Sequence, residues 1–259
     1  MDQLAEFNFK YNSPIVCAAI HNGHDVSLEI SRNLAVSESI RLMEEDPYTE
    51  RFAELCSNTI IGKTSRFEVD LNRSVEKCIY LEPKDAWGLR TRKEKPSDEL
   101  ISRSIEKYNN FYSSAKDYFR RLEKKFGIFF VYDIHSYNHH RKGENSEFED
   151  PILNPEINLG TSNMLEKWFP LVDKIRYKLT EFDFFGKQLD VRANVKFPGG
   201  HFSRWIHNNF PDSACCIAVE LKKFWMDEWT GKVYDDKFYK LIEALNSTHK
   251  LIESDLLKY

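Results

Sequence analysis

The sequence predicts an α/β fold in which buried strands alternate with helices. Short apolar runs rich in β-branched and aromatic residues, at 15–20, 129–132 and 214–221, predict strands buried in a sheet. Residues 97–126 carry apolar side chains at three- and four-residue spacing behind Ser97, which predicts a long capped helix. The chain shows neither internal repeats nor a linker-like segment. We therefore expect one domain over residues 1–259.

Composition restricts the class of protein. With 259 residues and 41% hydrophobic content, the chain can bury a large core. Its 37 basic and 41 acidic residues give a net charge of -4, which does not favour nucleic acid or an acidic membrane as a partner. The start of the chain is polar, and no run approaches the roughly 20 apolar residues of a membrane span. We expect a soluble cytoplasmic protein.

The cysteines suggest a reducing environment. There are five, an odd number, and none stands in a Cys-x-x-Cys pattern. This favours free thiols over a disulfide framework or a thiolate zinc site.

Polar side chains follow two of the predicted strands. His21 and His24 come after residues 15–20, and Asp133, His135 and Ser136 come after residues 129–132. Ligands of open α/β sheets bind beyond the carboxyl ends of the strands. An Asp two residues before a His lies on the same face of an extended chain, where it could orient the imidazole.

Other segments are less regular. Residues 65–73 alternate apolar and polar side chains, which predicts a half-buried strand ending in Asn72 and Arg73. Residues 138–161 are predicted to form a long active-site loop, and residues 237–257 a helix. The apolar run 214–221 carries one carboxylate, Glu220.

The residues near the predicted strand ends suggest a metal hydrolase. Two or three imidazoles and a carboxylate are the ligand set of a catalytic zinc site. Zinc would lower the pKa of water, a carboxylate in apolar surroundings could move protons, and arginine suits a substrate carboxylate. The alternative is a set of unrelated salt bridges and turn residues. The residues in question are His21, His24, Asp46, Arg73, Asp133, His135, Arg204 and Glu220.

Seven segments in order, from about residue 15 to about residue 230, resemble the N-formylglutamate amidohydrolase family. Each segment is short, and their order makes the resemblance specific. They are His21-Asn-Gly23, Glu45-Asp46, Asp70-Leu-Asn-Arg73, Asp133-Ile-His-Ser136, Asn158-Leu-Gly-Thr161, the Gly199 to Arg204 element and Ala218-Val-Glu220.

The resemblance implies a single three-layer α/β domain with a mixed, mostly parallel sheet, similar to zinc carboxypeptidases and aspartoacylases. It also implies one zinc ion and hydrolysis of an amide. Transferred position by position, the metal ligands are His21, Asp46 and His135, and Glu220 is the general acid/base. Arg73 and Arg204 would bind the substrate carboxylate, Asn72 and Ser136 would contact the substrate, and Arg73 and Asp133 would assist catalysis.

Several alternatives stay open at this point. Glu45 is an alternative to Asp46 as the metal ligand, because sequence spacing cannot distinguish adjacent carboxylates. His24 is a residue that the family does not reliably have, and it either replaces a metal ligand or forms a hydrogen bond at the rim of the site. The expected substrate is a small N-acyl amino acid such as N-formylglutamate, giving formate and glutamate. A zinc peptidase, another deacylase and a non-catalytic metal-binding module are the competing interpretations. The oligomeric state is left undetermined.

Overall fold

The computed structural model describes residues 3–259, and within them seven strands form one sheet. They are β1 (Ala5–Phe9), β2 (Ile15–Ala19), β3 (Asn58–Gly62), β4 (Phe129–Tyr137), β5 (Ile157–Gly160), β6 (Val191–Ala193) and β7 (Ala214–Lys222). Their spatial order is β1-β3-β2-β4-β7-β5-β6. The pairs β1–β3 and β5–β7 are antiparallel, and the other neighbouring pairs are parallel. The predicted α/β class with a mixed, mostly parallel sheet is confirmed.

Helices cover both faces of this sheet. They are α1 (Leu28–Asn33), α2 (Glu38–Glu44), α3 (Thr49–Ala53), α4 (Asp98–Phe126), α5 (Phe169–Thr180), α6 (His201–Asn209), α7 (Asp235–Asn246) and α8 (His249–Leu256), with short 3₁₀ turns at Pro83–Ala86 and Glu166–Trp168. Helix α4 begins as predicted, because the hydroxyl of Ser97 accepts a hydrogen bond from the Leu100 amide. It ends at Phe126, and the following residue, Gly127, caps it with a φ of +77° that suits glycine.

Strand β4 lies near the centre of the sheet, and its side chains alternate between two cores. Val131 packs in the core that includes Phe119 of α4 and Phe202 of α6. Tyr132 packs in the opposite core, which includes residues of α5, α7 and α8. Strand β4 has nine residues and is therefore longer than the predicted run 129–132, and all nine residues are buried. Asp133 and His135 therefore lie inside the strand, where the sheet fixes their direction.

The predicted strand at 65–73 is wrong. Phe67, Val69 and Leu71 are buried, as the alternation suggested, but the segment folds into consecutive turns. Glu68 and Asp70 between them are buried as well, so there is no solvent face. The amides of residues 67 to 69 donate hydrogen bonds to Ser65. The alternating apolar residues are therefore buried in a turn and not in a strand.

Two further expectations needed correction by the structure. Residues 237–257 do not form one helix, because α7 ends at Asn246 and α8 begins at His249. Residues 138–161 are not all loop, because β5 occupies Ile157–Gly160. No helix within residues 3–259 has the length and apolar character that crossing a bilayer requires.

The expectation of free thiols is wrong for one pair of cysteines. Cys17 of β2 and Cys56, just after α3, form a disulfide with their Cα atoms 5.8 Å apart. They are 39 residues apart in the sequence and meet because α3 packs on β2. Spacing along the chain could not reveal this contact. Cys78, Cys215 and Cys216 are free and buried.

Candidate active site

Three segments bring His21, Asp46 and His135 together. His21 directly follows β2, Asp46 lies between α2 and α3, and His135 is part of the neighbouring strand β4. The Asp46 amide donates to the His21 carbonyl at 3.1 Å, which fixes the two loops to each other. All three side chains are buried, and one potential ligand atom of each lies within 4.8 Å of the others.

The donor atoms of this buried triad suit a metal ion. Oδ2 of Asp46 is 3.0 Å from Nδ1 of His135 and 3.5 Å from Nδ1 of His21. The Nδ1 atom of His21 is buried and has no hydrogen-bond partner. An unpartnered buried ring nitrogen is costly, and metal coordination would remove that cost. Two imidazoles and a carboxylate are a common zinc ligand set, so this triad could bind a metal ion.

A second carboxylate stands behind each histidine. Oδ1 of Asp70 is 2.6 Å from Nε2 of His21, and Oδ1 of Asp133 is 2.9 Å from Nε2 of His135. Such carboxylates fix the ring orientation and make the other nitrogen a better ligand. Both rings therefore present Nδ1 to Asp46.

The ionisation of these groups follows from their contacts. Burial opposes the charged form of Asp46, but the close contacts with His135 and His21 hold its pKa well below the usual range. Burial also opposes protonation of His135, yet the negative charge of Asp133 and the contact with Asp46 raise the pKa of His135 well above its usual value. Burial likewise opposes the charge on Asp70, and Arg66 and His21 outweigh it and lower the pKa. Asp46 and Asp70 are thus ionised and can pair with a cation.

The structure separates Glu45 from its neighbour Asp46. The carboxylate of Glu45 contacts His24, Ser65 and Arg41, and it is not part of the triad. His24 is partly exposed and also lies 3.5 Å from Glu38. Among residues 3–259, neither Glu45 nor His24 belongs to a group of residues that could hold a metal ion.

Glu220 faces the same cavity from strand β7. It is paired in register with His135, and parallel neighbours in register place their side chains on one face of the sheet. Only 8% of the residue is exposed. Burial raises the pKa of Glu220 to about 7; the charge of His135 opposes this rise, and Asp46 adds to it.

The cavity in front of the triad has a volume of about 240 Å³. Arg73 lines it, with Nε 3.7 Å from Asp70 Oδ2, and its side chain is 41% exposed. Asn72 also lines it, and its Oδ1 accepts a hydrogen bond from the Phe202 amide. A Cβ at Gly200 would come within 2.2 Å of Asn72, so only glycine allows this approach. The hydroxyl of Ser136, another lining residue, donates to Asp46 Oδ1 at 3.4 Å.

Arg204 is placed differently from Arg73. It lies on α6, is exposed, and donates from Nε to Asn163 Oδ1 at 3.3 Å. It is absent from the residues of the described chain that line the cavity. The structure thus brings together all the predicted site residues except Arg204, Glu45 and His24.

The family follows from the sequence match. A model of the family described as N-formylglutamate amidohydrolase matches residues 13–224. The chain belongs to the N-formylglutamate amidohydrolase family. The resemblance found from the seven segments is confirmed, and the chain is a member of an amidohydrolase family. A search of curated proteins finds no match.

Two solved structures have the same fold. One is an N-formylglutamate amidohydrolase from Ralstonia eutropha JMP134, with 17% sequence identity, 99% of each chain covered and a TM-score of 0.79. The other is a gene product of Agrobacterium tumefaciens, with 15% identity, 97% of each chain covered and a TM-score of 0.66. At these identities the likeness establishes the fold.

Sequence reasoning missed several charged residues of the cavity. Arg66 donates to Asp70 at 3.1 Å and lies over the ring of Trp87. Arg141 pairs with Glu44 at the cavity wall, and Lys223 reaches it from just beyond β7. A lysine directly after a buried strand was the available signal for Lys223. The other pairings join residues far apart in the sequence.

A second group of potential metal ligands lies outside this cavity. Cys17, Cys56 and His249 are close enough to share an ion. The two sulfur atoms are bonded to each other, so they are not available as thiolate ligands in this state.

Proposed function

We propose that this chain is a zinc-dependent amidohydrolase that cleaves the amide of a small N-acyl amino acid such as N-formylglutamate, giving formate and glutamate. The observation that carries the proposal is the convergence of His21, His135 and Asp46 in one cavity with Glu220. Membership of an amidohydrolase family supports the same reaction class.

His21, Asp46 and His135 would hold the metal ion. A bound zinc ion would lower the pKa of water and polarise the carbonyl of the substrate amide. Asp70 and Asp133 keep the two imidazoles oriented toward Asp46.

Glu220 is the residue suited to move protons. Burial raises the pKa of Glu220 to about 7 in the metal-free protein, and its ionised carboxylate can accept a proton from the attacking water. The protonated carboxyl group can then deliver that proton to the leaving amine nitrogen. Its burial excludes bulk water, which would otherwise compete for the proton.

Arg73 is the residue suited to recognise the substrate carboxylate. Its guanidinium lies at the cavity and is only loosely paired with Asp70, so it can bind a second carboxylate. The cavity of about 240 Å³ is smaller than most sites for drug-sized ligands. This size favours an N-acyl amino acid over a longer peptide as substrate.

Metal analysis combined with a hydrolysis screen tests the proposal. The purified protein is expected to contain zinc, to lose turnover when a chelator removes it and to regain turnover when zinc is restored. N-formyl and N-acetyl amino acids and short peptides are compared at equal concentration. Metal binding without turnover of any amide would support a binding module instead, and absence of metal binding would contradict the proposal.

The two arginines can be compared directly. Arg73→Met is expected to raise KM for an N-formyl amino acid by about 10- to 100-fold, since it removes a charged hydrogen-bond partner of about 1.5–3 kcal/mol. Arg204→Met is expected to leave KM nearly unchanged, because Arg204 lies outside the cavity lining. A large rise in KM for Arg204→Met would assign the carboxylate contact to Arg204.

A further inference from the structure

Lys223 is a lysine whose charged end is buried beside the candidate metal site. Only 1% of the residue is exposed, although lysine is almost never fully buried without partners. It lies three residues after Glu220 and lines the same cavity. Its backbone amide donates to the Tyr137 carbonyl at 3.0 Å, which fixes it to the end of β4.

The ammonium group of Lys223 binds the segment that carries Asp46. Its Nζ donates to the Met43 carbonyl at 2.7 Å and to the Glu45 carbonyl at 2.8 Å. These carbonyls lie at the carboxyl end of α2, where backbone oxygens have no partner within the helix. A positive charge is favourable at that end of a helix.

Hydrogen bonds from other segments also reach the end of α2 and the residues between α2 and α3: the Asp46 amide donates to the His21 carbonyl, and Arg66 donates to the Glu44 carbonyl at 3.4 Å. Asp46 itself lies in neither helix, and the amide of Asn138 adds one more bond to the Met43 carbonyl. Lys223 therefore connects the strands that carry His135 and Glu220 to the loop that carries the third member of the triad.

We propose that Lys223 is a positioning residue for the metal site, which holds the backbone on both sides of Glu44 so that the Asp46 carboxylate faces His21 and His135. This inference rests on the proposed function, because it requires that the triad binds a metal ion.

Zinc affinity of the purified protein, measured by competition with a chromophoric chelator, tests the inference. Lys223→Met keeps a similar volume and removes the donors, and it is expected to weaken zinc binding by about 10- to 100-fold, as loss of an outer partner of a ligand does. Lys222→Met is the matched control. Lys222 is half-buried, also donates to a backbone carbonyl, that of Asn154, and does not line the cavity. Its zinc affinity should equal that of the wild type.

A double-mutant cycle separates positioning from a general loss of structure. Combined with Asp46→Ala, Lys223→Met is expected to cause little further loss of zinc affinity, because its effect passes through Asp46. Additive losses, or wild-type zinc affinity in Lys223→Met, would overturn the inference. Lys223→Arg retains donors and is expected to recover part of the affinity.

Folding of each variant without metal is followed by circular dichroism. If Lys223→Met does not fold, Lys223→Leu, which also lacks donors, takes its place with the same expectations. If neither folds, Lys223 supports the whole fold and the inference is wrong. A wild-type protein that binds no zinc would instead contradict the proposed function, so the two failures are distinguishable.

Discussion

The candidate site consists of two parts that are held in different ways. The strand-borne part, Asp133, His135, Ser136 and Glu220, lies on β4 and β7, whose register runs without interruption from Phe129–Ala214 to Tyr137–Lys222. The loop-borne part, His21, Asp46, Asp70 and Arg73, lies outside every helix and strand. Buried polar contacts, such as those of Lys223, hold it in place.

The comparison indicates where the site is sensitive to substitution. A sheet fixes side-chain direction through backbone bonds, which substitutions leave intact. A loop depends on side-chain hydrogen bonds, and each one can be removed by a single substitution. The loop-borne part should therefore respond to changes outside the ligand set, and the strand-borne part mainly to changes of the reacting groups themselves.

The largest effect is expected at Glu220, in the strand-borne part. Glu220→Gln keeps the shape of the side chain and removes its ability to accept a proton. We expect turnover to fall by about 10²- to 10⁴-fold, the usual contribution of a general acid/base, while zinc affinity stays close to that of the wild type. Steady-state kinetics with metal analysis measures both. Unchanged turnover would remove Glu220 from this role.

The next largest effect is expected in the loop-borne part, where the adjacent carboxylates Asp46 and Glu45 can be compared. Asp46→Asn should weaken zinc binding by more than about 100-fold, because losing a ligand costs more than losing an outer partner. Glu45→Gln should change zinc affinity less than about tenfold, yet lower the free energy of unfolding by about 1–3 kcal/mol, since it disturbs the buried contacts with His24, Ser65 and Arg41. Chelator competition and chemical denaturation test the pair. The reverse ranking of zinc affinities would make Glu45 the ligand.

The disulfide constrains two members of the loop-borne part. The bond between Cys17 and Cys56 closes a loop that contains both His21 and Asp46. A dithiol reductant should lower the free energy of unfolding by about 2–4 kcal/mol, because the unfolded chain gains freedom. Cys56→Ser should show the lower stability from the start and no response to the reductant. Equal stability of oxidised and reduced wild type would show that the bond contributes nothing.

The last and most gradual effect is a pH dependence from the strand-borne part. In the metal-free protein, the pKa of Glu220 is raised from 4.5 to about 7, so the fold favours the protonated carboxyl group. Its contribution is fully present below pH 4.5 and is lost as the pH rises toward 7, about 1.4 kcal/mol per unit at the steepest and about 3 kcal/mol in all. The free energy of unfolding of Glu220→Gln relative to wild type should therefore increase over this range. A flat difference would mean that Glu220 ionises normally.

Much of the fold could be predicted from the sequence because it depends on local patterns. The capped helix α4 and the buried runs of β2, β4 and β7 follow from apolar spacing and from Ser97, which act within a few residues. The secondary-structure prediction failed where residues are buried but form neither a helix nor a strand. At 65–73 the alternation was real, but Glu68 and Asp70 are buried too, and the chain turns instead of extending.

The sequence by itself determined the α/β class, the family and most, but not all, of the residues from which the candidate site is assembled. Only the tertiary structure decided that Asp46 and not Glu45 joins the two histidines, that Arg73 and not Arg204 lines the cavity, and that Cys17 meets Cys56. The physical reason is that these choices depend on how side chains from distant segments pack and pair in three dimensions. Adjacent carboxylates are equivalent along the chain, and they differ only once the fold gives each its own partners.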